Sequence, residues 1–315
     1  MLAQNNNGII KKTRQGNSLN SKKRAKLIFY ISMMALPIAQ FLVFYLYVNF
    51  DSFALAFKEY SFEEGYILAG FDNFKAIFQD FAKDISLKSS VVNSLELFVW
   101  TIIFGSAVAI LFSYYIYKEY RGHVAFKILL YLPQILGGVV VVIMYRFFME
   151  LAIPEIAMLF GGERIEGMLT NPETVRPTII FYTIYISFGT QVLVYSSTMS
   201  GISESLIESA QLDGITPIKE LIYIVLPSIW TTFVTFMVAS IVGIFNNQMA
   251  LFTFYGTNAP PNLYTFGYYL YRNVKVATAA EYPYLSAIGL LLTVIAVPVT
   301  LATRWALTKF GPSRD

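Results

Sequence analysis

The sequence contains no cysteine and a single histidine, His123. Without thiols there can be no disulfide and no thiolate metal site, and one imidazole excludes a histidine-rich metal centre. No G-x-x-x-x-G-K-[ST] run occurs, so the chain lacks the P-loop that cradles nucleotide phosphates. Charge is also scarce, at 14% of residues where a soluble domain carries about 25%. The acids fall mostly outside the long apolar runs and form no acid–base pair within them, so no catalytic and no metal-ligating residue is assigned. The net charge of +3 comes largely from one N-terminal cluster, which implies no nucleic-acid surface.

What is present is apolar surface. Of 315 residues, 56% are hydrophobic and 17% aromatic, and the mean hydropathy is +0.56. This is the composition of an all-α polytopic membrane protein, immersed in a lipid membrane.

Residues 1–26 are polar and carry Lys11, Lys12, Arg14, Lys22, Lys23, Arg24 and Lys26, a basic tail expected to stay in the cytoplasm. Residues 27–50 run without a charge, too long for a signal-peptide core and without a small-x-small cleavage site, so they read as the first transmembrane helix. Residues 51–88 are mixed and acidic, as an extracytoplasmic loop would be. A core of five further helices follows over 89–310, with spans near 91–117, 128–148, 177–199, 228–252 and 285–303. Pro133 and Gly137-Gly138 allow a bend in the third span. Six spans place both termini, including the 311–315 tail, in the cytoplasm. Glu96 lies near the outer end of the second span, where a carboxylate must face protein, water or substrate.

Between the fourth and fifth spans lies a short polar loop, 201–227. It reads as two short helices with a bend. Ser203 and Ser205 are both N-cap types, and Ser205 with Glu208 fits a capping box. Gly214 is the natural helix stop, after which Thr216 as N-cap and Pro217 at the first helical position start a second helix. Pro227 sets a bend where that helix meets the next span.

The run Glu208-Ser209-Ala210, then Gly214, then Ile224 and Leu226-Pro227, resembles the cytoplasmic EAA signature of bacterial ABC importer permeases, with Ser209 in place of the second alanine. The resemblance implies the type I importer permease fold and a coupling helix that docks on the ATP-hydrolysing subunit. It assigns ATPase coupling to Glu208, Ser209, Ala210, Asp213, Gly214 and Pro217. Ala69-Gly70-Phe71-Asp72-Asn73-Phe74 resembles a segment that precedes the core of sugar-type permeases, and Gly267-Tyr268-Tyr269-Leu270-Tyr271 and Tyr282-Pro283-Tyr284 look similar to segments of the same family. Where that family often carries Thr-x-Gly-Gly-Pro, this chain has Thr257-Asn258-Ala259-Pro260.

The central halves of the spans lack the ionisable groups that proton- or sodium-coupled carriers use. A neutral polar ligand needs amides, hydroxyls and aromatic faces instead. The fourth and fifth spans supply Tyr185, Ser187, Thr190, Gln191 and Ser240, Gly243, Asn246, Asn247, Gln248, which are the candidate substrate-binding residues. Membrane helices also use such groups as interhelical glue, so this assignment stands beside a structural one. In maltose-type permeases the two spans flanking the loop hold the sugar, and Phe245-Asn246-Asn247 resembles their asparagine-rich turn.

The expected function is the permease subunit of an ATP-driven carbohydrate importer, with an oligosaccharide as substrate, located in the bacterial cytoplasmic membrane. Its partners would be a second permease, most simply in a heterodimer, two cytoplasmic ABC ATPases and an extracytoplasmic solute-binding protein. No cofactor is expected on this chain, with ATP and magnesium on the ATPase. The alternatives are an ABC permease for another small polar solute, or a secondary carrier or channel.

Overall fold

A computed structural model describes residues 23–163 and 165–312. Most of the basic tail expected over 1–26, and residues 313–315, lie outside that range. The path opens with α1 (Lys23–Leu55) and a hairpin of β1 (Lys58–Ser61) and β2 (Gly65–Leu68), paired antiparallel with Lys58 opposite Leu68. Then come α2 (Asp72–Lys83), α3 (Ile85–Tyr117), α4 (His123–Ile135), α5 (Gly138–Leu159) and α6 (Val175–Met199). Two short helices, α7 (Glu204–Leu212) and α8 (Pro217–Glu220), precede α9 (Trp230–Asn246) and α10 (Leu251–Tyr255). The chain ends with α11 (Phe266–Val276) and α12 (Tyr282–Phe310).

Among the described residues, α1, α3, α6, the run Trp230–Tyr255 and α12 are each long and apolar enough to cross a membrane. The α4–α5 pair meets the same measure as one span bent by 107°. Gly137, extended at φ −60° and ψ 132°, sits at that bend, where the sequence placed Pro133 and two glycines. The molecule is thus a multi-pass membrane protein, with five candidate spans and one bent pair among the described residues.

α1 leaves its apolar side chains exposed along the window that would sit in lipid, so it owes little of its stability to this chain's own core. The remaining helices bundle around α6, which packs on α3, α4 and α9, while α12 closes against α9 and α2. Two apolar clusters hold the bundle. One, near the hairpin, centres on Tyr182, Leu251, Phe254, Tyr268 and Ile288; the other, near the α7–α8 loop, on Tyr114, Val192, Tyr195, Met199 and Ile229.

Polar side chains fix the hairpin end where apolar burial alone would leave backbone unpaired. Asp84 caps α3 by accepting from the Ser86 N–H at 2.7 Å. Asn73 donates to the Ala56 and Lys58 carbonyls at 3.0 and 2.7 Å, pinning β1 to α2. Asn93 of α3 donates to the carbonyls of Asn262 and Tyr264 at 2.7 and 2.9 Å, and Ser94 accepts from the Phe266 N–H at 3.0 Å. The irregular stretch before α11 is therefore held on α3.

Candidate functional site

The helix that reads in sequence as a continuous fifth span is interrupted. After Asn246 the backbone leaves helical geometry: Asn247 is extended at ψ 122°, and Met249 and Ala250 take the left-handed conformation at φ 49° and 53°. Such conformations cost non-glycine residues roughly 1 kcal/mol or more each and persist only where the surroundings hold them. Three bonds do so here. The Asn247 carboxamide oxygen accepts from the Met249 N–H at 2.7 Å, its carbonyl accepts from the buried Thr265 hydroxyl at 2.7 Å, and its own N–H still reaches the Gly243 carbonyl at 2.9 Å. Thr265 in turn caps α11 by accepting from the Tyr268 N–H at 3.3 Å. Gly267 completes the fit, since a Cβ there would overlap the backbone of Asn246 and Asn247.

This break borders a cavity of about 530 Å³ at the junction of the two apolar clusters. It is walled by Ser94, Leu97, Phe98 and Thr101 of α3, Gln134 of α4, Tyr182 to Gln191 along one face of α6, and Phe236 to Ala250 from α9 and the break. None of its lining residues is charged. The volume lies within the usual range for small-molecule sites, roughly 300–1,000 Å³.

Of the residues singled out in sequence, Ser187, Thr190, Gln191, Ser240, Gly243 and Asn247 line this cavity together. Tyr185 points elsewhere, into an apolar groove between α3 and α6, where it lies parallel to Phe181. Asn246 precedes the break and Gln248 lies within it, and neither lines the cavity. The hydroxyls of Ser187 and Ser240 donate to the Ile184 and Phe236 carbonyls of their own helices, at 2.8 and 2.9 Å. Among the described residues neither hydroxyl bonds to a neighbouring helix, and their lone pairs remain to accept from a ligand.

Gln191 is 6% exposed, and its carboxamide oxygen has no hydrogen-bond partner. A buried acceptor left unpaired costs about 1–3 kcal/mol, so a ligand O–H delivered there would gain more than at a hydrated site. Gln134 is held by donating to the Ile186 carbonyl, which links α4 to α6. The α3 wall escaped the sequence reading, although Ser94, Leu97, Phe98 and Thr101 follow the i, i+3, i+4, i+7 spacing of one helix face.

Glu96, whose surroundings the sequence left open, pairs with Arg176 of α6 and accepts from the Trp100 indole N–H at 3.3 Å. Its charge is thereby met by protein near the hairpin end.

At the opposite end, α7 and α8 form the bent pair that the sequence suggested. α7 closes in a Schellman motif: Ile215 N–H donates to the Ala210 carbonyl at 3.2 Å and Gly214 N–H to Gln211 at 3.0 Å, with Gly214 at φ +75°. Thr216 and Pro217 begin α8 as N-cap and first residue. The capping box at Ser205 and Glu208 does not form. α7 starts two residues earlier, with Ser203 as N-cap, and the Ser203 hydroxyl lies 2.8 Å from that of Ser205 instead of meeting a backbone N–H. Glu208, Ser209, Asp213, Gly214 and Pro217 are exposed and Ala210 is half-buried. Beside them stand two exposed apolar side chains, Leu212 at 90% and Ile218 at 71%.

The chain was compared with known proteins. No family model matches it. It is 25% identical over 291 residues to the arabinooligosaccharides transport system permease protein AraP of Bacillus subtilis (strain 168), covering 89% of this chain and 88% of that one. It is 26% identical over 235 residues to the polygalacturonan/rhamnogalacturonan transport system permease protein YteP of the same organism, covering 70% and 71%. In structure it matches a bacterial ABC transporter involved in import of the acidic polysaccharide alginate, with a TM-score of 0.76 at 24% identity over 94% of this chain and 99% of that one. A second structure of a bacterial alginate ABC transporter, in complex with an alginate pentasaccharide-bound periplasmic protein, matches with a TM-score of 0.74 at 25% identity, over 91% and 96%. The chain is thus similar to permease subunits of sugar ABC importers. The break at Asn247 and the loop at Gly214 lie at opposite ends of one bundle.

Proposed function

We propose that this permease forms half of the route by which an uncharged oligosaccharide enters a bacterial cell, driven by ATP hydrolysis on a separate subunit. The observation that carries the proposal is the pairing, on one chain, of an uncharged polar cavity at a helix break with an exposed α7–α8 loop whose apolar tip no described residue covers.

The cavity offers what a sugar needs. Gln191, Asn247 and the two serines supply acceptors and amide donors for hydroxyls, and Tyr182, Phe98 and Phe236 supply flat apolar faces for a pyranose ring. The absence of a lining charge favours a neutral sugar over a uronate. The second permease would complete the open side, where Thr190 is exposed, in a heterodimer or as a copy of this chain.

Leu212 and Ile218 flank Gly214 and form a small apolar tip on an otherwise polar loop. Such a tip suits a groove on an ATPase, in the helix-in-groove manner, with Glu208 and Asp213 at its rim. Each of two ATPases, carrying ATP and magnesium, would grip one permease, and closure of the pair would move the loop. This reading puts the loop and both termini in the cytoplasm, the membrane as the inner one, and the hairpin end outside. There a solute-binding protein would deliver the sugar, as the periplasmic partner of the alginate importer suggests.

The test is to purify the chain from native membrane in mild detergent and identify what accompanies it by mass spectrometry. A P-loop ATPase and a second permease are expected. A chain that purifies alone and moves solute in liposomes without ATP would overturn the proposal in favour of a carrier or channel.

A further inference from the structure

The α7–α8 loop is joined to the cavity wall by a contact that neither the signature nor the cavity explains. Glu220, the last residue of α8, is 3% exposed. Its carboxylate receives Lys118 Nζ at 3.0 and 3.2 Å on its two oxygens and the Tyr114 hydroxyl at 3.1 Å. Tyr114 lies in the last turn of α3 and Lys118 caps its end, so one carboxylate binds two groups of a helix more than 100 residues distant in sequence. Lys118 also lies 6.0 Å from the centre of the Tyr114 ring, which adds a cation–π contact within the same cluster.

Stability alone does not account for this arrangement. Taking two charges out of water offsets most of their attraction, and an apolar contact of the same size would hold the helices as well. What the charged version adds is direction: three charge-assisted bonds fix how α8 sits on α3 far more sharply than apolar packing does. The neighbouring charges of the loop, Glu208, Asp213 and Lys219, are exposed and make no comparable contact with the bundle.

At its other end α3 presents Ser94, Leu97, Phe98 and Thr101 to the cavity. Between latch and cavity, α3 departs from α-helical winding once, in a wide π-type turn over Thr101–Ser106. Such turns are frequent at functional sites. The segment from Ala107 to Tyr117 is regular α-helix.

We propose that Glu220 is the positioning residue that couples the loop to the cavity: through Lys118 and Tyr114 it makes α8 and the end of α3 one rigid unit, so that displacing the loop moves the α3 wall. The proposal rests on the importer reading above.

The test uses the complete transporter in proteoliposomes and measures sugar accumulated per ATP hydrolysed, with a labelled neutral oligosaccharide that the wild-type complex carries. Glu220→Gln keeps the shape and removes the charge. It should still assemble and hydrolyse ATP, while sugar moved per ATP falls by about tenfold, within the usual range of coupling between sites. The exchange Lys118→Glu with Glu220→Lys should restore most of the ratio. A wild-type ratio in Glu220→Gln would overturn the proposal. A second measurement exploits the absence of cysteine from this chain: in Lys118→Cys with Glu220→Cys, a short bis-maleimide linker has only these two thiols to join within it. Unlinked, this variant should lose sugar moved per ATP as Glu220→Gln does; linking, which again makes α8 and the end of α3 one unit, should raise the ratio, and a ratio that linking leaves unchanged or lowers would overturn the proposal. A wild-type complex without ATP-dependent uptake refutes the importer reading itself, before any variant is compared.

Discussion

The Glu96 carboxylate and the Arg176 guanidinium pair across α3 and α6 at the hairpin end of the bundle, with the Trp100 indole donating to the same carboxylate. Both side chains are about a third or more exposed, at 34% and 40%, so solvent weakens their attraction. Glu96→Ala and Arg176→Ala should each lower stability by about 1 kcal/mol. The double variant should lose less than the two together, because neither charge is then left alone. Thermal unfolding in detergent would show this, and strict additivity would mean that the pair does not couple.

Gly214 closes α7 at φ +75°, with open space where a Cβ would stand. Substitution is therefore penalised by backbone conformation and not by collision. Gly214→Val should cost about 1–2 kcal/mol of loop geometry, leave the protein in the membrane and abolish uptake. Gly214→Asn, which tolerates the left-handed region, should retain much of it. Uptake assays on membranes with equal permease content would separate the two, and equal loss in both would point to the glycine surface instead.

Gln191 predicts a trade between stability and function. Its unpaired buried oxygen is a burden in the empty protein, so Gln191→Leu should leave the melting temperature unchanged or raise it. The same change should raise the substrate concentration for half-maximal uptake by about tenfold. A variant that is both less stable and unaltered in uptake would remove Gln191 from the site.

Tyr269 on α11 lies outside the membrane-spanning helices, and burial, followed by the nearby Asp84 and Asp80 carboxylates, pushes its phenol up to about 12. The folded value is raised above the unfolded one near 10, so the contribution is complete below pH 10 and declines as pH rises from 10 towards 12. Tyr269→Phe should flatten the fall of stability across that window, as read by melting against pH.

The sequence made the long helices legible because each apolar run is longer than any soluble core requires. Gly214 and Pro217 dictate the bent loop by backbone chemistry alone, whereas the fifth span reads as continuous through Asn247, where the structure interrupts it. The hairpin of β1 and β2 was not legible, since Lys58–Ser61 and Gly65–Leu68 are four residues each and carry no clear alternation of apolar and polar positions. Nor were the partners of Glu96 and Glu220, which stand 80 and 102 residues away in sequence and meet only when α3 packs on α6 and α8. Tyr185 shows the limit of residue type as a guide. It differs from Ser187 by two positions on α6, which turns it by about 200° to the opposite face, and only the packing of α3 decides which face borders the cavity.

The most direct test of the account is uptake of labelled neutral oligosaccharides into proteoliposomes holding the permease, its co-purified partners and the binding protein, with and without ATP. The account predicts accumulation that requires ATP and disappears in Gly214→Val. Accumulation without ATP, or by this chain alone, would contradict it.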